Sequence, residues 1–70
     1  MAEQWTTMPA GEVPVGATVR LADGRELEVT SIEEAFFGMP EMRAFIEDTP
    51  RGWFKAPIGT AADVEVRTAP

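Results

Sequence analysis

The 70-residue chain contains no cysteine, no histidine and no tyrosine. Without cysteine there is no disulfide and no thiol nucleophile, and without either residue no Cys/His zinc site. Without histidine the usual neutral-pH general base is missing. Ser31 is the only serine, and Lys55 the only lysine that would activate it. No local motif supports such a dyad, so Ser31 reads as a cap or turn residue. Cations are scarce: six against twelve acids, net charge −6. That balance disfavours direct nucleic-acid binding and anionic lipid, which need clustered cations. No hydrophobic run approaches the roughly 18 residues of a membrane span. Met1-Ala2-Glu3-Gln4 has no basic stretch and no apolar run, so it does not read as a secretory signal. The expectation is a cytoplasmic protein with no membrane association, no cofactor, no metal and no enzymatic activity.

What is present suits one small domain. A chain this short buries only about 60% of its unfolded surface, so its core must pack well or be completed by association. Six Val, three Ile, two Leu, four Phe, two Trp and some of four Met supply that core. Residues 1–12 lack periodicity and read as a flexible arm, with Trp5 as its one large apolar group. Residues 13–68 read as the folded domain.

Thr18-Val19-Arg20-Leu21 and Glu26-Leu27-Glu28-Val29 alternate with period two, as strands do. A two-residue Asp23-Gly24 turn would pair Leu21 with Glu26. A three-residue turn pairs Val19 with Leu27 and Leu21 with Arg25, and it keeps the apolar side chains on one face. One residue of slip flips every side chain, so the face pattern selects a type I turn closed by Gly24 in a G1 bulge.

Ser31-Ile32-Glu33-Glu34 matches a capping box, with Gly38 and Pro40 as stops. The alternative continues the second strand to Ile32. The expectation is a long loop holding at most one short helical turn. Residues 41–48 fit both a helix (Met42, Phe45, Ile46) and a strand (Met42, Ala44, Ile46). Glu47 and Asp48 would oppose a helix dipole, and Trp53-Phe54-Lys55-Ala56 needs a β partner, so the strand is preferred. Thr49-Pro50-Arg51-Gly52 is the turn between them. Pro57 and Gly59 end that strand, and Ala62-Asp63-Val64-Glu65-Val66-Arg67 alternates again. Five strands follow, near 17–22, 25–32, 42–48, 52–56 and 63–67. The fold expected is mainly β, a small five-stranded antiparallel barrel. Its core should hold Val19, Leu21, Leu27, Val29, Ile46, Phe54, Val64 and Val66.

Val15-Gly16-Ala17-Thr18-Val19-Arg20-Leu21, followed by Asp23-Gly24 and a second strand, resembles the opening of SH3-like small barrels. The resemblance covers residues 13 to 67. It implies a nucleic-acid, peptide or methyl-lysine reader, or a plain docking module. No aromatic cage of the methyl-lysine readers is recognisable, and their frequent Tyr is absent. In style the chain also resembles small uncharacterised proteins encoded by actinobacteria and their phages.

Four groupings are candidates for function. Glu33-Glu34 and Glu47-Asp48 are paired carboxylates without metal-loop spacing, and read as solvated surface. Arg43, Arg51 and Lys55 would form an anion clamp with Trp53 and Phe54 if they met; otherwise the cations point outward and the rings pack inside. Glu26 and Glu28, two apart on one strand face, raise an acidic decoy that mimics DNA phosphates. Phe36-Phe37-Gly38-Met39-Pro40 is the most suggestive segment. Two aromatics and a methionine in one polar-flanked loop are more apolar surface than so small a domain readily buries. The protein-binding site expected is therefore Phe36, Phe37, Met39 and Met42, supported by Trp5 or Trp53. The function expected is docking onto a protein or a second copy, with the acidic decoy as the alternative.

Overall fold

The computed structural model describes residues 4–67. It is mainly β, with seven strands in two antiparallel sheets: β1 Thr6–Pro9, β2 Thr18–Arg20, β3 Glu26–Glu28, β4 Ser31–Glu34, β5 Met42–Thr49, β6 Gly52–Gly59 and β7 Asp63–Arg67. The first sheet runs β1-β7-β2-β3 and the second β4-β5-β6. The sheets do not close into one barrel, and the five expected strands are seven. Two single 3-10 turns, Ala10–Glu12 and Phe36–Gly38, take the place of the one helical turn expected.

The first hairpin forms in the register the face pattern dictates. Val19 lies opposite Leu27, Leu21 N–H donates to the Arg25 carbonyl, and Gly24 N–H closes onto Leu21. Gly24 has φ of +90°, and a Cβ there would meet nothing within 4 Å. The cost of a side chain is therefore purely conformational. Gly24→Val is expected to lose about 1–2 kcal/mol, whereas Ala22→Val, exposed on the same turn, stays within about 0.5 kcal/mol of wild type. Urea unfolding of both variants checks this, and equal losses would remove the bulge.

The expected strand 25–32 is two strands in two sheets. Leu27 and Val29 share the inner face of the first sheet. Ile32 packs against the same core from the second. Ile32 lies three positions after Val29, an odd offset, so a flat period-two strand cannot turn both inward. The chain bends at Thr30, whose N–H and hydroxyl both donate to the Ile46 carbonyl. Ser31 consequently lies in β4 opposite Ile46 and caps nothing. β6 runs through Pro57 because it is an edge strand, where a missing N–H costs no ladder bond.

Residues 6–12, expected as part of a flexible arm, are structured. β1 pairs with β7, Thr6 against Val66. Ala10 is fully buried and its N–H donates to Ala62. At Gly11 a Cβ would come within 3.2 Å of Thr60, whose carbonyl accepts the Gly11 N–H. Residues 1–3 of the expected arm and residue 68 of the expected domain lie outside the described residues.

The core fills the space between the sheets. Val19, Leu27, Val29, Val64 and Val66 come from the first sheet's strands and their extensions, Phe45 and Ala56 from the second, and Ala10, Val13 and Ala17 from the segments between. Leu21 and Phe54 are half-buried against it. Ile46 is not part of it. β5 turns Phe45 inward, so its neighbour Ile46 faces away, which reverses the face expected from Met42, Ala44 and Ile46.

Candidate functional site

Arg43 decides the face of β5. Its side chain points inward with Phe45 and the residue is only 7% exposed. Nη1 donates to the Ala10 and Val13 carbonyls at 2.9 and 3.1 Å. Nε and Nη2 form a fork on the Glu34 carboxylate, at 3.2 and 2.6 Å. The guanidinium thus ties the 3-10 turn Ala10–Glu12 to the second sheet. The expected clamp of Arg43, Arg51 and Lys55 does not form. Lys55 is on the opposite face, bonded to Glu33 at 2.8 Å. Arg51 sits in the β5–β6 turn.

The paired carboxylates divide in the same way. Glu34 turns in to Arg43 and Glu33 out to Lys55. Glu47 accepts the Glu28 backbone N–H at 3.0 Å. Among the described residues no three acidic side chains converge on a cation site. No buried side-chain nitrogen or oxygen there lacks a partner.

Large apolar side chains are instead displayed outward. Phe37 is 82% exposed, Trp53 61% and Met39 39%. The loop that carries Phe37 is wound left-handed at three of four residues: Ala35 (φ +48°), Phe37 (+56°) and Gly38 (+75°). Left-handed backbone at a bulky residue is strained and persists only where neighbours enforce it. Here the Gly38 N–H closes on Ala35, Met39 N–H on Phe36, and Met42 N–H on Met39. Phe36 folds back and is half-buried, its ring centroid 4.4 Å from that of Phe37. Lys55 Nζ lies 5.5 Å from the Phe36 ring and 5.9 Å from Trp53. Phe36, Lys55 and Trp53 thus lie along the outer face of the second sheet. Met42, Ala44, Ile46 and Pro57 belong to that face by alternation. Half-buried Met42 adjoins Gly59.

Trp5 is elsewhere. Its ring lies 4.1 Å from the Arg20 guanidinium and 5.0 Å from that of Arg67, on the outer side of the first sheet. Of the six expected site residues, Phe36, Met42 and Trp53 share the outer face of the second sheet with Phe37 against Phe36, Met39 is exposed in the same loop, and Trp5 does not join them. The outer side of the first sheet is mixed in charge: Arg20 pairs across the strands with Glu65 at 2.9 Å, beside Arg67, Glu26 and Glu28.

A second feature was not legible as a site. Where the two hairpins part, an open cleft of about 440 Å³ is lined by Arg25, Glu26, Glu47, Arg51, Gly52, Trp53 and Phe54. The Arg25 guanidinium covers the Phe54 ring at 3.9 Å. The three-residue turn was the available signal. It sets Arg25 opposite Leu21, on the core-facing side, where a cation at the rim of a core settles on a ring.

The chain matches no protein-family model, no curated protein and no solved structure.

Proposed function

We propose that this domain is a non-enzymatic docking module. Its contact surface is the outer face of the second sheet with the Phe36–Phe37 loop, and its occupant is a partner protein or a second copy. One observation carries the reading: Phe37 is 82% exposed on a strained, left-handed residue. Strain of this kind costs about 1–3 kcal/mol per residue, and burial of the ring does not repay it. Binding does. Met39 and Trp53 are exposed with Phe37, while the Lys55–Glu33 pair sets a polar group between Phe36 and Trp53, and aromatic and Met side chains of this kind are enriched at interfaces. The resemblance of the first hairpin to SH3-like docking domains agrees with this reading. The acidic decoy has less support, because Glu26 and Glu28 share their side of the first sheet with Arg20 and Arg67, and Arg20 is paired with Glu65.

Phe37→Ser is expected to leave the melting temperature within a few degrees of wild type, because the ring contributes little to the core. Capture of a partner, or self-association by sedimentation equilibrium, should weaken at least about tenfold, as for a hot-spot residue. Met39→Ser should act in the same direction. If both variants associate as wild type does, the contact surface lies elsewhere.

A further inference from the structure

The chain has twelve acids and six bases, so acids outnumber cations two to one. Arg20, Arg43 and Lys55 take one each. Arg67 contacts Trp5. Arg25 and Arg51 make no ion pair with any described residue, and both line the cleft between the hairpins. Arg25 is stacked on Phe54 at 3.9 Å. The Arg51 N–H donates to Thr49 Oγ1 at 3.2 Å, which fixes the turn that carries it. Two unspent guanidinium forks beside one opening, that of Arg25 stacked in place, form a receptor for a planar oxyanion.

Two further features say what kind. Glu26 and Glu47 line the same cleft, so the four charged side chains sum to zero. Without net positive charge the cleft does not favour a phosphate or a row of them, and a singly charged carboxylate would be held by forked hydrogen bonds rather than by the overall field. The β3 edge forms one wall. Ladder bonds join Arg25 to Leu21 and Val29 to Ala17, so by antiparallel alternation the N–H groups of Glu26 and Glu28 point away from β2. Glu47 takes the Glu28 N–H. That of Glu26 meets no partner among the described residues. A short open strand edge beside the two forks provides for a peptide main chain, and Trp53, 61% exposed, for a side chain next to the charge.

We infer that the cleft binds a carboxylate on an extended peptide. Arg25 and Arg51 hold the carboxylate, the Glu26 edge pairs with the main chain, and Trp53 packs on the adjoining side chain. The site stands apart from the docking surface proposed above, sharing only Trp53 with it, and it does not require that reading to hold.

The test is an amide-resolved NMR titration of the full chain with three synthetic peptides. They are acetyl-Ala-Ala-Val-Phe with a free C-terminal acid, the same sequence C-terminally amidated, and acetyl-Ala-Glu-Val-Phe-amide. The free acid should shift the amides of residues 25–27 and 51–54. The neutral amide should bind at least about tenfold more weakly, the value of a charge-assisted hydrogen bond. Whether the internal-glutamate peptide matches the free acid tells whether a side-chain or a chain-terminal carboxylate is preferred; either result supports the site. Arg51→Gln, on an exposed turn with no side-chain partner, should keep the wild-type spectrum elsewhere and lose about tenfold in affinity for the preferred peptide. Phe37→Ser should bind it unchanged, so that failure here is separable from failure of the docking face. Equal binding of neutral and charged peptides, or shifts confined to other residues, would overturn the inference.

Discussion

Replacing Arg43 with methionine is expected to lower stability by about 3 kcal/mol, a large part of the roughly 4–10 kcal/mol that about 70 residues command. A buried ion pair exchanged whole for apolar side chains is often neutral or better, and that exchange is unavailable here. The acceptors of Nη1 are the backbone carbonyls of Ala10 and Val13, themselves among the most buried residues of the chain. Mutation leaves the Val13 carbonyl without its Arg43 donor and the Ala10 carbonyl with only the long 3.3 Å bond from the Val13 N–H, at about 1–3 kcal/mol for each bond lost. Glu34 is the minor partner because its carboxylate is well exposed and screened by water. Glu34→Gln should therefore cost less than about 1 kcal/mol. Arg43→Lys should resemble methionine more than wild type, since one ammonium cannot serve two carbonyls on one side and a carboxylate fork on the other. Urea midpoints of the three variants give the ranking. An Arg43→Met protein as stable as wild type would mean that the 3-10 turn at Ala10–Glu12 holds without its anchor.

This residue also marks where sequence reading stops. The first hairpin was legible to the residue, because Val19, Leu21, Leu27 and Val29 admit one register and Gly24 sits where that register needs positive φ. β7 was legible for the same reason. The second sheet was not. An arginine in Met42-Arg43-Ala44-Phe45-Ile46 argues for an outward face on hydrophobicity alone, and that assigns Ile46 to the core. The carbonyls that make burial of Arg43 favourable belong to residues some thirty positions earlier, and nothing local announces them. The strand at Thr6–Pro9 was hidden likewise, since only β7 makes it a strand. The site was half legible. Crowded aromatics marked the Phe36–Phe37 loop, and the structure makes Phe37 the exposed ring. Trp5 carried the same chemical signal, yet the cation–π contacts with Arg20 and Arg67 that place it are tertiary. The cleft went unnoticed because it depends on which arginines are left without carboxylates, which a count of charges does not reveal.

Truncating Phe45 should have the largest effect of any single substitution and also test the face of β5. Phe45 is the largest fully buried side chain, lying between Ile32 and Ala56 on the neighbouring strands. Phe45→Ala is expected to cost about 3–5 kcal/mol from lost burial and the cavity left behind. A neighbour as small as Ala56 has no reach to fill it. Against the stability of so short a chain, this variant should be substantially unfolded without denaturant. Leu27→Ala, fully buried on the facing sheet, belongs to the same class at about 2–5 kcal/mol. Ile46→Ala provides the comparison. Ile46 is half-buried, points to the outer face and does not touch the core cluster, so its truncation should cost about 1 kcal/mol. The contrast is read from far-UV circular dichroism at rest and urea midpoints for the variants that fold. Equal losses at Phe45 and Ile46, or a greater loss at Ile46, would mean that β5 presents its other face to the core. Arg43 would then point to solvent, and the anchor to the Ala10–Glu12 turn would go with it. The Phe45 and Arg43 variants therefore stand or fall together, because alternation along one strand places both side chains.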